Sequence, residues 1–300
     1  MLKKTMAAMI FALAILLMFP LAARADMGPK PSVVIDFAGL AGEHYYATLL
    51  SPTSSTGPHS ALSRSGDGYT RYQEGDEDYH IFLKFAEYQD EDGFYFLQFF
   101  QDCSQSQQFR WTYYPPQEFK ILLYVPERDQ FLVSGEIYQR YAFDSYFTAD
   151  VSPGDPAGSF QGEAAAITAI KSYDYTDETL SLLARILLTM AIELAIALIF
   201  GFREKRLFRF IILVNAVTQI GLNLTLNLIN YYSGHMMFAI SYLPLEIAVF
   251  IAEGLLYNRY LPRYSKEEIA PWRPWTYALA ANAASYALGL ALAHWIPGIF

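Results

Sequence analysis

The sequence predicts a membrane protein with a mostly-β, sandwich-like exported domain that contains one helix, followed by a four-helix transmembrane bundle. Three observations predict this fold class. The composition is 53% hydrophobic and only 17% charged, which is unusual for a soluble protein. Short aromatic and β-branched runs, separated by turn residues, fill residues 26–155. Four long apolar stretches fill the last third of the chain.

Charge is unevenly distributed along the chain. The formal net charge is -9, and residues 26–180 hold 9 Lys and Arg against 24 Asp and Glu. An acidic region of this kind repels phosphates, so nucleic acid is excluded as a partner. The single cysteine, Cys103, excludes an intrachain disulfide and is too solitary for a zinc site.

The first 25 residues have the pattern of a signal peptide. Lys3 and Lys4 precede a short apolar stretch, and Ala23-Arg24-Ala25 supplies the small residues of a cleavage site. We therefore expect the mature chain to begin at Asp26. The alternative is an uncleaved anchor helix, and in either case the following domain is exported.

Residues 26–155 are predicted to form the extracytoplasmic β-rich domain. One amphipathic helix is expected at 79–88, where Phe82, Phe85 and Tyr88 recur every three residues. Residues 156–181, with their polar and small side chains, are predicted to be a connector. The predicted strands are Ser32–Phe37, His44–Leu50, Phe94–Phe100, Phe109–Tyr114, Phe119–Val125, Phe131–Ser134 and Ala142–Val151.

Residues 182–300 are predicted to form four membrane-spanning helices, because each apolar stretch is long enough to cross about 30 Å of hydrocarbon at a rise of 1.5 Å per residue. Arg and Lys are concentrated in the loops after the first and third spans, whereas 231–235 has neither. The positive-inside rule places both basic loops in the cytoplasm. The sequence therefore predicts a multi-pass protein of the cell membrane with an extracytoplasmic ectodomain and C-terminus. The spans are Leu182–Phe202, Phe210–Ile229, Met236–Leu256 and Trp275–Pro297.

Polar residues inside these spans define a candidate intramembrane site. Carboxylates in lipid are costly, so they normally face the bundle interior. Pro244 leaves a backbone carbonyl free near one of them. The amides alone are explained by interhelical hydrogen bonds, whereas the glutamates favour a functional role. The candidate residues are Glu193 on the first span, Asn215, Thr218, Gln219 and Asn223 on the second, and Glu246 and Glu253 on the third. On the fourth, Asn282, Ser285 and Gly289 are further candidates for the interior, although the many Ala and Gly residues there are first interpreted as close helix packing.

The chain as a whole resembles a family of uncharacterised bacterial membrane proteins with a signal peptide, an exported aromatic-rich β domain and four C-terminal transmembrane helices. The resemblance rests on short segments and on the polar residues of the spans, and it implies the same architecture without a catalytic role for any residue. The segments are 26–32, 45–51, 55–58, 113–116 and 119–124, and the membrane residues are Glu193, Asn215, Thr218, Gln219, Asn223, Glu246 and Glu253.

Motifs of enzymes are missing from the sequence. It has no Gly-x-Ser-x-Gly, no phosphate-binding Gly-rich loop and no His-Glu-x-x-His, and its five histidines are scattered. The acidic segments 74–78 and 90–93 lack a complete calcium loop and are interpreted as solvated turns. We therefore expect no catalytic residue and no cofactor.

Two functional hypotheses follow. In the first, the ectodomain binds a small ligand or an envelope protein, and the helices anchor it in the lipid bilayer or relay its state. In the second, the chain is a proton- or cation-coupled transport component in which the glutamates form a protonatable path. An intramembrane enzyme is a more distant third hypothesis.

Overall fold

The computed structural model describes residues 28–62, 70–152 and 166–295. The predicted signal peptide and residues 156–165 of the predicted connector lie outside the described residues. A β-rich N-terminal region is followed by long apolar helices. Strands β1 to β12 are Ser32–Ala38, Tyr46–Ser51, Ser55–Thr56, His59–Ser60, Tyr95–Phe96, Gln101–Asp102, Gln108–Trp111, Glu118–Val125, Gln130–Val133, Tyr138–Gln139, Asp144–Ser152 and Ala166–Lys171. Helix α1 is Tyr79–Glu87, and Pro126–Arg128 is a 3-10 turn.

The longer strands form two sheets. The first has the order β12-β11-β1-β7, in which β1 is parallel to β11 and antiparallel to β7. The second has the order β10-β8-β2-β5, and it also pairs β6 with β2 and β9 with β8. Within the described part of the chain, the short strands β3 and β4 pair with each other and with no other strand.

The two sheets pack face to face over one apolar core. Alternate residues of β1, such as Val33 and Ile35, point into it from the first sheet, and Ile121 and Leu123 of β8 point into it from the second. Each of these side chains is fully buried, which stabilises the fold by about 1.5 to 3 kcal/mol per residue. This packing agrees with the predicted sandwich.

Helix α1 covers the opposite face of the second sheet. Its buried side chains, Ile81, Phe82 and Phe85, form a second apolar cluster with residues such as Leu122 and Tyr124 of β8. Strand β8 is therefore buried on both faces, which explains its continuous apolar sequence. The predicted helix at 79–88 is confirmed.

Two of the predicted boundaries in this region are wrong. Within the predicted strand Phe94–Phe100 only β5 is formed, and β6 begins after Phe100, because Gln98 adopts a left-handed conformation with φ 57°. The Gln98 side chain accepts a hydrogen bond from the Arg71 amide and donates one to the Ser60 carbonyl. In addition, β12 lies inside the predicted connector and pairs with β11 along its whole length.

The C-terminal part contains helices α2 (Thr176–Ile199), α3 (Lys205–Tyr264) and α4 (Arg273–Trp295). Helix α3 is broken at Gly234, which has φ 81° and ψ 170°. We call 205–233 the first arm and 235–264 the second arm. The two arms lie side by side, since the Tyr257 hydroxyl donates to Asn215 Oδ1 at 2.5 Å.

Each of the four predicted spans corresponds to a helix or an arm, and the predicted loop at 231–235 is shortened to a break at Gly234. No proline separates the second span from the third, so the helical conformation continues up to Gly234 and resumes directly after it. Among the described residues, Glu178–Ile199 and Lys205–Tyr264 are long and apolar enough to cross a membrane.

Both basic loops lie at the same end of the helices. The Lys266 amide donates to Glu204 Oε1 at 2.9 Å, and Arg273 donates to the Phe200 carbonyl at the C-terminus of α2. These contacts join the segment after α2 to the segment after α3. The Gly234 break is at the other end of both arms.

Candidate functional site

The helices have an inverted distribution of polarity. Large aliphatic side chains point outward, including Leu187, Val217 and Leu255, each of which is more than half exposed. The predicted polar residues point inward. Glu193, Asn215 and Glu253 are 0% exposed, Gln219 is 1% exposed and Asn223 is 3% exposed. Helices that place polar side chains inside and aliphatic side chains outside are suited to an apolar surrounding such as hydrocarbon.

The carboxylate of Glu253 lies at the centre of the polar interior and has two donors. The Thr218 hydroxyl donates to its Oε1 at 2.6 Å, and the Asn282 amide of α4 donates to its Oε2 at 2.7 Å. The first arm, the second arm and α4 therefore meet at this one side chain. Thr218 and Glu253 are thus in direct contact, as residues on facing helices.

The carboxyl group of Glu193 is buried without such donors. In the described part of the chain, neither of its side-chain oxygens has a hydrogen-bond partner. Tyr277 donates to its backbone carbonyl at 3.3 Å rather than to the carboxyl group. Ser285 is close, but its hydroxyl donates to the Asn282 carbonyl at 3.1 Å. Glu193 and Glu253 are therefore unequal in hydrogen bonding although both are fully buried.

Glu246 occupies the second arm, seven residues before Glu253 and on the same helix face. It is half-buried, with the Tyr242 hydroxyl in hydrogen-bonding range. Its charge interacts with those of Glu193 and Glu253, so the three carboxyl groups lie within electrostatic range of one another. The structure therefore places all three near one interior region.

The amide side chains of the first arm differ in their hydrogen-bond partners. Asn215 accepts from Tyr257 of the second arm, whereas Asn223 donates to the Gln219 carbonyl of its own helix at 2.9 Å. Asn215 Nδ2 and Gln219 Nε2 have no partner among the described residues. Hydrogen bonds between residues four apart on one helix follow from its period, so Asn223 satisfies part of its polarity locally.

Other residues of the interior were not singled out from the sequence. Tyr257 and Tyr277 are fully buried and pack with ring centroids 5.3 Å apart. Tyr257 lies four residues after Glu253, so the helical period could have predicted that both side chains lie on the same, inward face. Arg185, the one basic residue of the first predicted span, donates to Asn227 Oδ1 at 3.1 Å.

The β-rich region contacts the helices at the Gly234 break. The Phe143 amide donates to the Tyr231 carbonyl at 2.8 Å, and a Cβ at Gly234 would lie 2.7 Å from the Phe143 ring. Tyrosines from both parts surround this contact, which we call the tyrosine junction. Its members are Tyr141, Tyr173, Tyr175, Tyr231 and Tyr232, whose rings contact one another in stacked, tilted and edge-on pairs.

No protein-family model, no curated protein and no solved structure matches this chain. The resemblance to a bacterial membrane-protein family therefore stays a prediction.

The chemistry open to the polar interior is that of carboxyl groups, amides and phenols. The described residues contain no group of three His, Cys, Asp or Glu side chains positioned to hold a metal ion. Three neighbouring carboxyl groups repel one another when all are ionised, and burial adds to that cost. Proton binding relieves both effects.

Proposed function

We propose that this chain is a multi-pass protein of the cell membrane whose extracytoplasmic β-rich domain binds a small ligand or an envelope protein and passes that bound state to the helices. The observation that carries the proposal is the tyrosine junction. A tethered binding domain needs only a flexible linker, whereas here a backbone hydrogen bond and a ring of tyrosines join the domain to the bend between the two arms.

Insertion of the helices in a lipid bilayer is supported by their aliphatic exterior and polar interior. Tyrosines are enriched where membrane proteins meet the headgroup region, and the tyrosine junction lies at one end of the helices. The basic residues lie at the other end, where Lys266 and Arg273 are held against the end of α2 and the start of α3. This arrangement favours an orientation with the β-rich domain outside and the basic loops in the cytoplasm.

The relay can be tested by hydrogen–deuterium exchange of the full chain in lipid nanodiscs. Phe143→Ala removes the ring that packs against Gly234. If the two parts are coupled, exchange should accelerate on both sides of the junction, in 141–147 and in 228–238, because the lost contacts protect both segments.

Phe131→Ala is the matched control, since Phe131 is also half-buried but packs against α1 on the far side of the second sheet. It should accelerate exchange within the β-rich region only. A Phe143→Ala profile that changes in 141–147 and leaves 228–238 unaltered would contradict the relay and leave a tethered binding domain.

Proton- or cation-coupled transport is a second candidate function, and the unpartnered oxygens of Glu193 favour it. The native protein in proteoliposomes should then dissipate a proton or sodium gradient. Glu193→Gln should abolish this flux, and Glu268→Gln, at an exposed position, should not. Equal gradient decay in liposomes with the native protein and without protein would reject transport.

A further inference from the structure

Glu193 and Glu253 are both fully buried, but their carboxyl groups receive different numbers of hydrogen bonds. Glu253 receives one hydrogen bond on each oxygen, from Thr218 and Asn282. Donors from neutral groups stabilise a carboxylate, because an ionised carboxyl group only accepts hydrogen bonds. Glu193 receives no hydrogen bond on either oxygen among the described residues. An ionised group in that position would be desolvated without compensation.

Among the described residues, the charges that face Glu193 give it no counter-ion. Its own helix α2 carries Arg185 eight residues earlier, about 12 Å along the axis at 1.5 Å per residue. The second arm presents Glu246, Glu253 and Tyr257, and α4 presents Tyr277. The first arm faces this interior with Asn215 and other neutral polar side chains. The nearest charges are therefore carboxylates, which oppose a second negative charge.

From this asymmetry we propose that Glu193 and Glu253 form a proton-binding pair in which Glu193 is the neutral acid and Glu253 is the carboxylate. The proposal rests on the membrane insertion of the helices, since lipid and packed side chains exclude water from both groups. A carboxylic acid supplies an O–H donor, and Asn282 Oδ1 is an unpartnered acceptor in the same polar interior. A metal ion is a poorer occupant, because the described residues do not form a metal-binding group.

Glu246 is the member of the cluster through which this proton can exchange. As a residue it is half-buried, although its Oε2 is closed to solvent and has no partner among the described residues, whereas Glu193 and Glu253 are fully buried. It lies two turns from Glu253 along the second arm and within electrostatic range of Glu193. Exchange then passes a proton from the Glu193 acid to the Glu246 carboxylate, with no other bond made or broken.

Infrared spectroscopy of the purified full chain in nanodiscs tests the assignment, because the C=O stretching band of a protonated carboxyl group is separate from the bands of carboxylates. In a Glu246→Gln background, which removes the third carboxyl group of the cluster, the protein at neutral pH should show this band with the intensity of one carboxyl group per chain. Glu193→Gln should remove it completely. Glu253→Gln and the exposed control Glu268→Gln should retain it at full intensity.

Thr218→Val gives an independent check, since it removes one of the two donors to Glu253 without removing a carboxyl group or the Asn282 acceptor. The carboxylate of Glu253 should then be less favoured, and the band should increase toward two carboxyl groups at mildly acidic pH.

Three results would overturn the assignment. The first is a native protein without the band at neutral pH, which is decisive even if a variant fails to fold. The second is loss of the band in Glu253→Gln, which would place the proton on the other partner. The third is replacement of the band by a carboxylate band when sodium ions are added at constant pH, which would make the pair a cation site. None of these three results affects the hydrogen–deuterium exchange test at the tyrosine junction. The proposed relay between the β-rich domain and the helices is therefore tested separately.

Discussion

Arg71 fixes the protonation state of His59 in the β-rich region. Arg71 Nη1 lies 2.9 Å from His59 Nδ1, and a guanidinium group only donates hydrogen bonds. His59 Nδ1 is therefore an unprotonated acceptor, and the Nε2 proton is donated to the Tyr113 carbonyl at 3.0 Å. The histidine is 5% exposed, so its neutral form is part of the folded structure.

We expect the stability of this region to fall in acid partly through His59. Burial, and then the Arg71 charge, lower the pKa of His59 from the ordinary histidine value of about 6.5. Because the unfolded chain binds this proton more readily, the stabilisation is complete above about pH 6.5 and is lost as pH falls through the folded pKa. Urea unfolding of residues 26–172, followed by the fluorescence of Trp111, should show a weaker acid dependence in His59→Gln. Parallel pH profiles for the two proteins would contradict this explanation.

A buried ion pair connects β8 to the turn after α1. Lys120 Nζ lies 3.1 Å from Asp90 Oδ2, and the two side chains are 5% and 2% exposed. Lys120→Met should lower the free energy of unfolding by about 3 to 5 kcal/mol, because it leaves the Asp90 carboxylate buried and unpaired. Asp92→Asn is the control. Its partner is the same lysine, but its side chain is 64% exposed, so the cost should be about 1 kcal/mol or less. Equal costs in urea unfolding would show that burial does not govern this pair.

At the scale of elements, local patterns predicted the strands and helices with strong periodicity. Strands β1, β8 and β11 were found from their apolar and aromatic runs, and α1 from its helical period. Strand β12 was missed because Ala166–Lys171 has little aromatic content and follows a Pro- and Gly-rich stretch. The early end of β5 within the predicted strand Phe94–Phe100 depends on contacts of Gln98 with distant segments, which no local pattern contains.

The position of β12 changes the expected limits of an independently folding β-rich region. Ile167 is buried in the core between the sheets, and the Ala169 amide donates to the Tyr138 hydroxyl at 2.9 Å. A secreted fragment 26–172 should therefore melt cooperatively, whereas 26–155 should aggregate because the edge of β11 and part of the core are uncovered. Circular dichroism melting and size-exclusion chromatography compare them. Identical melting of both fragments would show that β12 is dispensable.

Gly234 allows the two arms to meet the β-rich region. Its positive φ is strained for other residues, and an added Cβ would overlap Phe143. Gly234→Ala should destabilise the junction by about 1 to 3 kcal/mol. Gly221→Ala, in the first arm with no heavy atom within 4 Å of the added Cβ, should be neutral or stabilising. Thermal unfolding in detergent measures both. A neutral Gly234→Ala would mean that the bend adapts to a side chain.

At the scale of the whole molecule, the sequence identified which polar residues are costly in an apolar span but not how they pair. Glu193 and Glu253 were found because charged residues in such spans are rare. The donors of Glu253 and the Tyr257 to Asn215 contact depend on the relative register of separate helices. Composition does not encode that register. The difference in hydrogen bonding between Glu193 and Glu253 could therefore be found only from the structure.

The orientation of the whole protein gives the last prediction, which concerns its two ends. Ser233 is exposed beside the tyrosine junction, and Glu267 is exposed in the second basic loop. Ser233→Cys should react with an impermeant maleimide in intact cells, and Glu267→Cys should react only after the membrane is opened. The native cysteine should not react with the maleimide, because Cys103 is 0% exposed and burial raises the pKa of its thiol to about 12. Cys103→Ser alone is the control for labelling of other proteins. Labelling of position 267 in intact cells, with position 233 protected, would reverse the orientation and place the β-rich region in the cytoplasm.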